Sequence, residues 1–93
     1  MDWSDEEIDA FLSQIGERIK SARRNRNLTQ DQLWDISGVP QGSISRLERG
    51  QYDDIMLKTL IRLAKGLEVS LEELIFGSTE DEASSEILAA VAL

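Results

Sequence analysis

The chain has 93 residues, enough for one domain with one modest core but not for a catalytic domain beside a separate regulatory one. It contains no Cys and no His, which excludes a disulfide framework, a thiolate metal site, a hydrolase triad and the commonest zinc ligand. The net charge of −8 argues at first against a polyanionic partner, but the charge is segregated. Residues 1–14 carry five acids and no base, and the tail from Ser78 carries four acids and no base. Residues 15–50 carry seven Lys or Arg against four Asp or Glu, so the middle of the chain is net positive. No apolar run approaches the roughly 20 residues that cross a bilayer. The first residues lack the basic start and apolar stretch of a signal peptide. A cytoplasmic protein with no membrane partner is expected.

Ser4-Asp5-Glu6-Glu7 has the spacing of a capping box, with Ser4 capping a helix start and Glu7 reaching back to it. Apolar residues follow at Ile8, Phe11, Leu12, Ile15, Ile19 and Ala22, at helical spacing. Acids crowd the start of this segment and Arg23, Arg24 and Arg26 its end, the order that a helix dipole favours. One helix over 5–26 and two helices parted at Gly16 both satisfy the pattern. The cost of glycine inside a helix favours a break or bend at Gly16.

Thr29-Gln30-Asp31-Gln32 is a second capping box, opening a short helix to about Ser37 with Leu33 and Ile36 inward. Gly38 ends it, and Pro40 suits the start of the next helix, where its missing N–H is no loss. That helix runs to about Arg49 with Ile44 and Leu47 inward, and Gly50 stops it. Residues 51–55 read as a polar loop. A fourth helix is expected to bury Leu57, Leu60, Ile61, Ala64 and Leu67. Ser70-Leu71-Glu72-Glu73 is a third capping box, opening a fifth helix with Leu71, Leu74 and Ile75 apolar and Gly77 at its end. Residues 79–82 can cap a last helix carrying Ile87, Leu88 and Val91. The fold class expected is all-α.

A helix, a three-residue turn containing Gly and a second helix form the helix-turn-helix pattern, here over 30–49. In that pattern the first helix crosses the backbone of duplex DNA, and the second lies in the major groove with its N-terminal side chains at the base edges. With Ile44 and Leu47 anchored inward, Gln41, Gly42, Ser43, Ser45 and Arg46 are left on the outer face or at the start of the second helix. Gln matches the N6/N7 edge of adenine and Arg the O6/N7 edge of guanine.

Ile15-Gly16-Glu17-Arg18-Ile19, Leu28-Thr29-Gln30, Leu33, Gly38-Val39, Ile44-Ser45-Arg46-Leu47-Glu48-Arg49-Gly50 and the stretch 67–74 together resemble the phage repressor and Cro class of helix-turn-helix proteins. The resemblance covers about 15–77 and is specific as an ordered set. It implies a five-helix repressor-like domain over 15–77; outside it, an acidic helical extension (1–14) and an acidic then apolar tail (78–93), a short helix or dimerisation segment, are read from the residues themselves. It also implies base contacts from Gln41, Gly42, Ser43, Ser45 and Arg46. Phosphate contacts would come from Thr29, Gln30, Arg49, Gln51 and Tyr52. Arg23 and Glu48 match a partly buried ion pair tying the first helix to the recognition helix.

Three positions depart from the family pattern. Trp34 stands where a small residue is usual, so its indole either parts the two motif helices or turns outward over a neighbouring groove; packing is favoured over base stacking. Gly42 removes a side chain from a position that often reads a base. Glu68 stands where a helix-ending Gly is common, which implies a strained turn. Tyr52 suits a phosphate hydrogen bond and loop packing equally. Arg18, Lys20, Arg24 and Arg26 read chiefly as a solvated helix face, with Arg24 or Arg26 near phosphate.

Asp53-Asp54 and Glu80-Asp81-Glu82 lack a Gly-punctuated calcium loop and read as solvated acids, so no metal and no cofactor is expected. No catalytic residue and no small-molecule substrate are expected either. Family members usually bind as twofold dimers on half-sites about one helical turn apart. Leu71, Ile75, Phe76, Ile87 and Val91 are the candidate dimer seam. The function expected is sequence-specific duplex-DNA binding by a transcriptional repressor acting as a homodimer. The alternative is a protein-interaction module, such as an antitoxin or a restriction-modification controller, that binds a protein partner through its acidic ends.

Overall fold

A computed structural model describes residues 2–52 and 54–77. Helix α1 spans Asp5–Asn25, α2 Gln30–Ser37, α3 Gln41–Glu48, α4 Leu57–Leu67 and α5 Leu71–Phe76. These five are the secondary-structure elements of the described residues. The segment expected to hold a last helix, with Ile87, Leu88 and Val91, lies outside them.

The helix starts follow from local chemistry. Ser4 accepts the Glu7 amide N–H while the Glu7 side chain accepts that of Ser4, and Thr29 and Gln32 do the same for α2. Each cap satisfies amides the helix leaves without partners and is worth about 1 kcal/mol. At α5 only half of the expected box is formed, with Ser70 accepting the Glu73 amide N–H. Gly38 closes α2 in the left-handed region at φ 76°. Glu68 takes the same left-handed role at the end of α4, at φ 57°. That conformation costs a residue bearing a Cβ about 1–2 kcal/mol.

Helix α1 is continuous through Gly16, contrary to the expected break. The glycine is there for contact between helices. It is buried against α3, and a Cβ on it would overlap the Leu47 carbonyl oxygen. Around this close approach lies a core of Ile15, Ile19, Leu33, Val39, Ile44, Leu47, Leu60, Leu63, Ala64, Leu67 and Leu74. Helix α1 packs against α3, α4 and α5, while α2 packs against α3 and α4.

Three residues expected to face inward are exposed: Ile36 on α2, and Leu57 and Ile61 on α4. Leu63 fills the place expected of Ile61 and is fully buried. Helix α4 carries apolar residues around more than one face, so periodicity alone could not orient it. Gly66 at its end meets Ile36 and Ser37 of α2, which rotates Leu57 and Ile61 out to solvent.

Arg18 also departs from a solvated helix face. Its guanidinium donates to the Leu74 and Ile75 carbonyls at 3.5 and 2.7 Å, satisfying the C-terminal carbonyls of α5 and docking that helix on α1. Arg26 pairs with Glu68 at 2.8 Å, across exposed surface.

Candidate nucleic-acid interface

Helix α3 is held from behind. Ile44 and Leu47 are buried, each contributing roughly 1.5–3 kcal/mol of burial free energy. Glu48 is the one buried charged residue of the described chain, 5 % exposed. Arg23 of α1 meets it in a two-point hydrogen-bonded pair, Nε to Oε2 at 2.7 Å and Nη2 to Oε1 at 2.8 Å. The remaining Arg23 Nη1 donates to the Leu28 carbonyl, which fixes the loop before α2. The bonds to Glu48 hold the guanidinium protonated even more firmly than an ordinary arginine, against the opposing effect of burial. While Glu48 is ionised, the contribution of Arg23 is therefore complete below the ordinary arginine range and is lost only as pH rises through the raised value, in strong alkali.

From Glu48 a chain of hydrogen bonds runs out to the surface. Gln30 Nε2 donates to Glu48 Oε1 at 3.2 Å, and Gln41 Nε2 donates to Gln30 Oε1 at 2.7 Å. Gln30 opens α2 and Gln41 opens α3, so the relay fixes the mutual orientation of the two helix starts. Each amide keeps unspent capacity. Gln30 retains one N–H, beside the amides of the first turn of α2. Gln41 retains one N–H and its carbonyl oxygen, the donor and acceptor that a bidentate contact with adenine requires.

The turn joining the helices is Gly38-Val39-Pro40. The Ser37 hydroxyl donates to the Leu33 carbonyl at 2.6 Å and accepts the Val39 amide N–H at 3.1 Å. Val39 is buried and pins the turn to the core. Pro40 is the N-cap of α3 rather than its first residue, and it supplies no side-chain cap. The amides of the first turn of α3 are therefore open to an outside acceptor. A Cβ at Gly42 would have nothing within 4 Å, so the backbone there can approach a partner closely.

Arg46 is exposed on the outer face of α3, with its guanidinium 5.5 Å from the centroid of the Tyr52 ring. This cation–π contact orients the side chain and is worth about 0.5–1 kcal/mol at an exposed site. Tyr52 is half-buried, with its ring against the core. Ser43 and Ser45 are half-buried on α3. Arg49 and Gln51 are exposed just after it, the Arg49 Nε at 3.3 Å from the Ser45 carbonyl it donates to. Thr29 is occupied in capping α2.

The structure thus gathers Gln30, Gln41, Gly42, Ser43, Ser45, Arg46, Arg49, Gln51 and Tyr52 around α3. The sequence reading left out the direct Gln30–Gln41 bond, whose only signal is the placement of Gln at both helix starts. Of the two placements expected for Trp34, turning outward is the one found, against the favoured packing role. Trp34 is 47 % exposed and turns outward without entering the core. Among the described residues no group of three or more His, Cys, Asp or Glu could hold a metal ion, and no helix is long and apolar enough to cross a membrane.

Residues 19–74 match the model of a family described as helix-turn-helix. The chain is 41 % identical over 64 residues to the control protein C.SmaI of Serratia marcescens, covering 66 % of this chain and 71 % of that protein. It is 34 % identical over 65 residues to the HTH-type transcriptional repressor RghR of Bacillus subtilis (strain 168), covering 70 % of this chain but only 48 % of the repressor. The chain thus spans about half the length of that relative. Among solved structures it is similar to the restriction-modification controller protein C.AhdI from Aeromonas hydrophila, with a TM-score of 0.66 and 31 % identity over 70 % of this chain and 97 % of that one.

Proposed function

The chain belongs to the Cro-type helix-turn-helix family of DNA-binding transcriptional regulators, and from that premise we propose that it represses transcription as a homodimer on a near-palindromic operator. The observation that carries this reading is the relay Arg23–Glu48–Gln30–Gln41, which presets two helix starts while leaving donors and acceptors on the outer side. In this reading α2 lies across the DNA backbone and α3 lies in the major groove.

Gln41 and Arg46 read adenine and guanine edges, and Ser43, Ser45 and the bare backbone at Gly42 complete the base-facing surface. Gln30, Arg49, Gln51 and Tyr52 meet phosphates, as does the first turn of α2 that Thr29 caps. Phosphate contacts supply affinity and base contacts supply specificity. Because the positive charge is local to a chain of net charge −8, affinity is modest and falls steeply with salt. Dimerisation uses α5, where Phe76 is exposed and Leu71 and Ile75 are half-buried. Ile87 and Val91, the other seam residues, lie outside the described residues.

Selection of bound duplexes from a random pool, read by sequencing, tests the proposal. Enrichment of a near-palindromic motif is expected, and enrichment of no motif defeats it. Sedimentation showing only monomer at micromolar concentration, with and without the selected duplex, removes the dimer. The resemblance to C.SmaI and C.AhdI favours one specialisation, control of a restriction-modification operon. A neighbouring restriction gene supports that role, and its absence points to another operon.

A further inference from the structure

Bulk at Trp34 must go somewhere, because α2 is pinned to α3 on both sides of it. Four residues earlier, Gln30 turns its side chain to Gln41 and Glu48. Trp34 therefore stands on the same face of α2, one turn further along. Its carbonyl accepts the Gly38 amide N–H at 2.8 Å, which places it at the base of the turn into α3. The neighbouring Leu33 is fully buried, but the indole of Trp34 is half in water. Across the turn, Gly42 offers no side chain, and the other outward residues of α3 (Gln41, Ser43, Ser45 and Arg46) are polar. A large, stiff ring at the edge of a polar reading face is the kind of group that anchors a recognition surface.

We propose that Trp34 is a further DNA-contacting residue whose indole lies against the apolar C–H surface of the duplex where α2 crosses the edge of the major groove. That surface is a thymine C5-methyl or a deoxyribose of the groove wall. The proposal rests on the DNA-binding reading above. Duplex DNA is the occupant because the indole is continuous with the Gln30–Gln41 face, and Gly42 leaves room for the backbone of α3 to sit close.

The test uses the full chain and a duplex from the random selection. Trp3→Phe leaves Trp34 as the only tryptophan and keeps an aromatic ring against Phe11. Its emission is expected to change on titration with duplex and to saturate together with binding measured by electrophoretic mobility. Trp34→Ala is expected to bind roughly tenfold more weakly with its helical content unchanged, and Trp34→Phe to recover part of the loss.

Replacing thymine by uracil, one site position at a time, identifies the surface. If a methyl is the partner, wild type weakens at one position to which Trp34→Ala is indifferent. If a sugar is the partner, no uracil matters and Trp34→Ala weakens on every sequence alike. Emission that stays constant while duplex binds, with wild-type affinity for Trp34→Ala, overturns the inference and leaves the DNA-binding reading standing. Failure of wild type to bind any duplex overturns both. Should Trp34→Ala not fold, the emission of the Trp3→Phe variant decides the matter.

Discussion

The two faces of α3 sit a few ångströms apart and are built on opposite rules. The inner face is closed. Ile44 and Leu47 are in the core, Glu48 is matched by Arg23, and no buried side-chain nitrogen or oxygen among the described residues lacks a partner. The outer face is open. Gly42 and Arg46 are exposed, and the amides of Gln30 and Gln41 keep hydrogen-bonding capacity in reserve. The inner face thus does the work of stability, and the outer face is free to make contacts outside the chain. Glu48 joins the two, since one carboxylate both fixes the scaffold and starts the relay that aims Gln41.

The largest effect is expected where the closed face is opened. Arg23→Ala leaves Glu48 buried without its cation and should cost about 3–5 kcal/mol in chemical denaturation. Replacing both partners with apolar residues, Arg23→Met with Glu48→Leu, should recover most of that loss. If the single variant is as stable as wild type, the pair is not what holds α3.

Next comes Gly16→Ala. Alanine gains about 1 kcal/mol over glycine inside a helix. The added methyl would overlap the Leu47 carbonyl, so a net loss of about 2–3 kcal/mol is expected. A stabilised variant would show that Gly16 is an ordinary helical glycine and that the α1–α3 contact has been misread.

On the open face the sign of the experiment reverses. Arg46→Ala should leave the unfolding midpoint nearly unchanged while losing about 1–3 kcal/mol of discrimination at one base pair. A large stability loss would show that the two faces are not separable. The smallest effect is expected at Glu68→Gly, which relieves a left-handed residue and breaks only the exposed pair with Arg26. Stability should rise by about 1 kcal/mol or less.

What could be read from the sequence was whatever local chemistry decides. Ser4, Thr29 and Ser70 announce their helices because a cap needs only the next three residues, and Gly38 announces the turn because few other residues adopt its φ. The motif over 30–49 and its inward Ile44 and Leu47 followed from spacing. What could not be read depends on contact between helices. Gly16 breaks a local rule for the sake of the Leu47 carbonyl, and the sequence alone makes it a bend. Helix α4 could not be oriented while Leu57, Leu60, Ile61 and Leu63 all competed for its inner face, until Gly66 met Ile36. Trp34 could be recognised as out of place, but which of its two placements it takes depends on how α2 packs against α3.

The most direct test of the division between scaffold and reading face is one set of equilibrium titrations at a single salt concentration. Wild type, Gln30→Ala and Arg46→Ala are each measured on the selected duplex and on a scrambled duplex of equal length. Gln30→Ala should weaken binding to both duplexes by a similar factor, as loss of a phosphate contact requires. Arg46→Ala should narrow the gap between the two duplexes, as loss of a base contact requires. Wild-type affinity and specificity in both variants would contradict the account, and would place the DNA-binding surface elsewhere on the molecule.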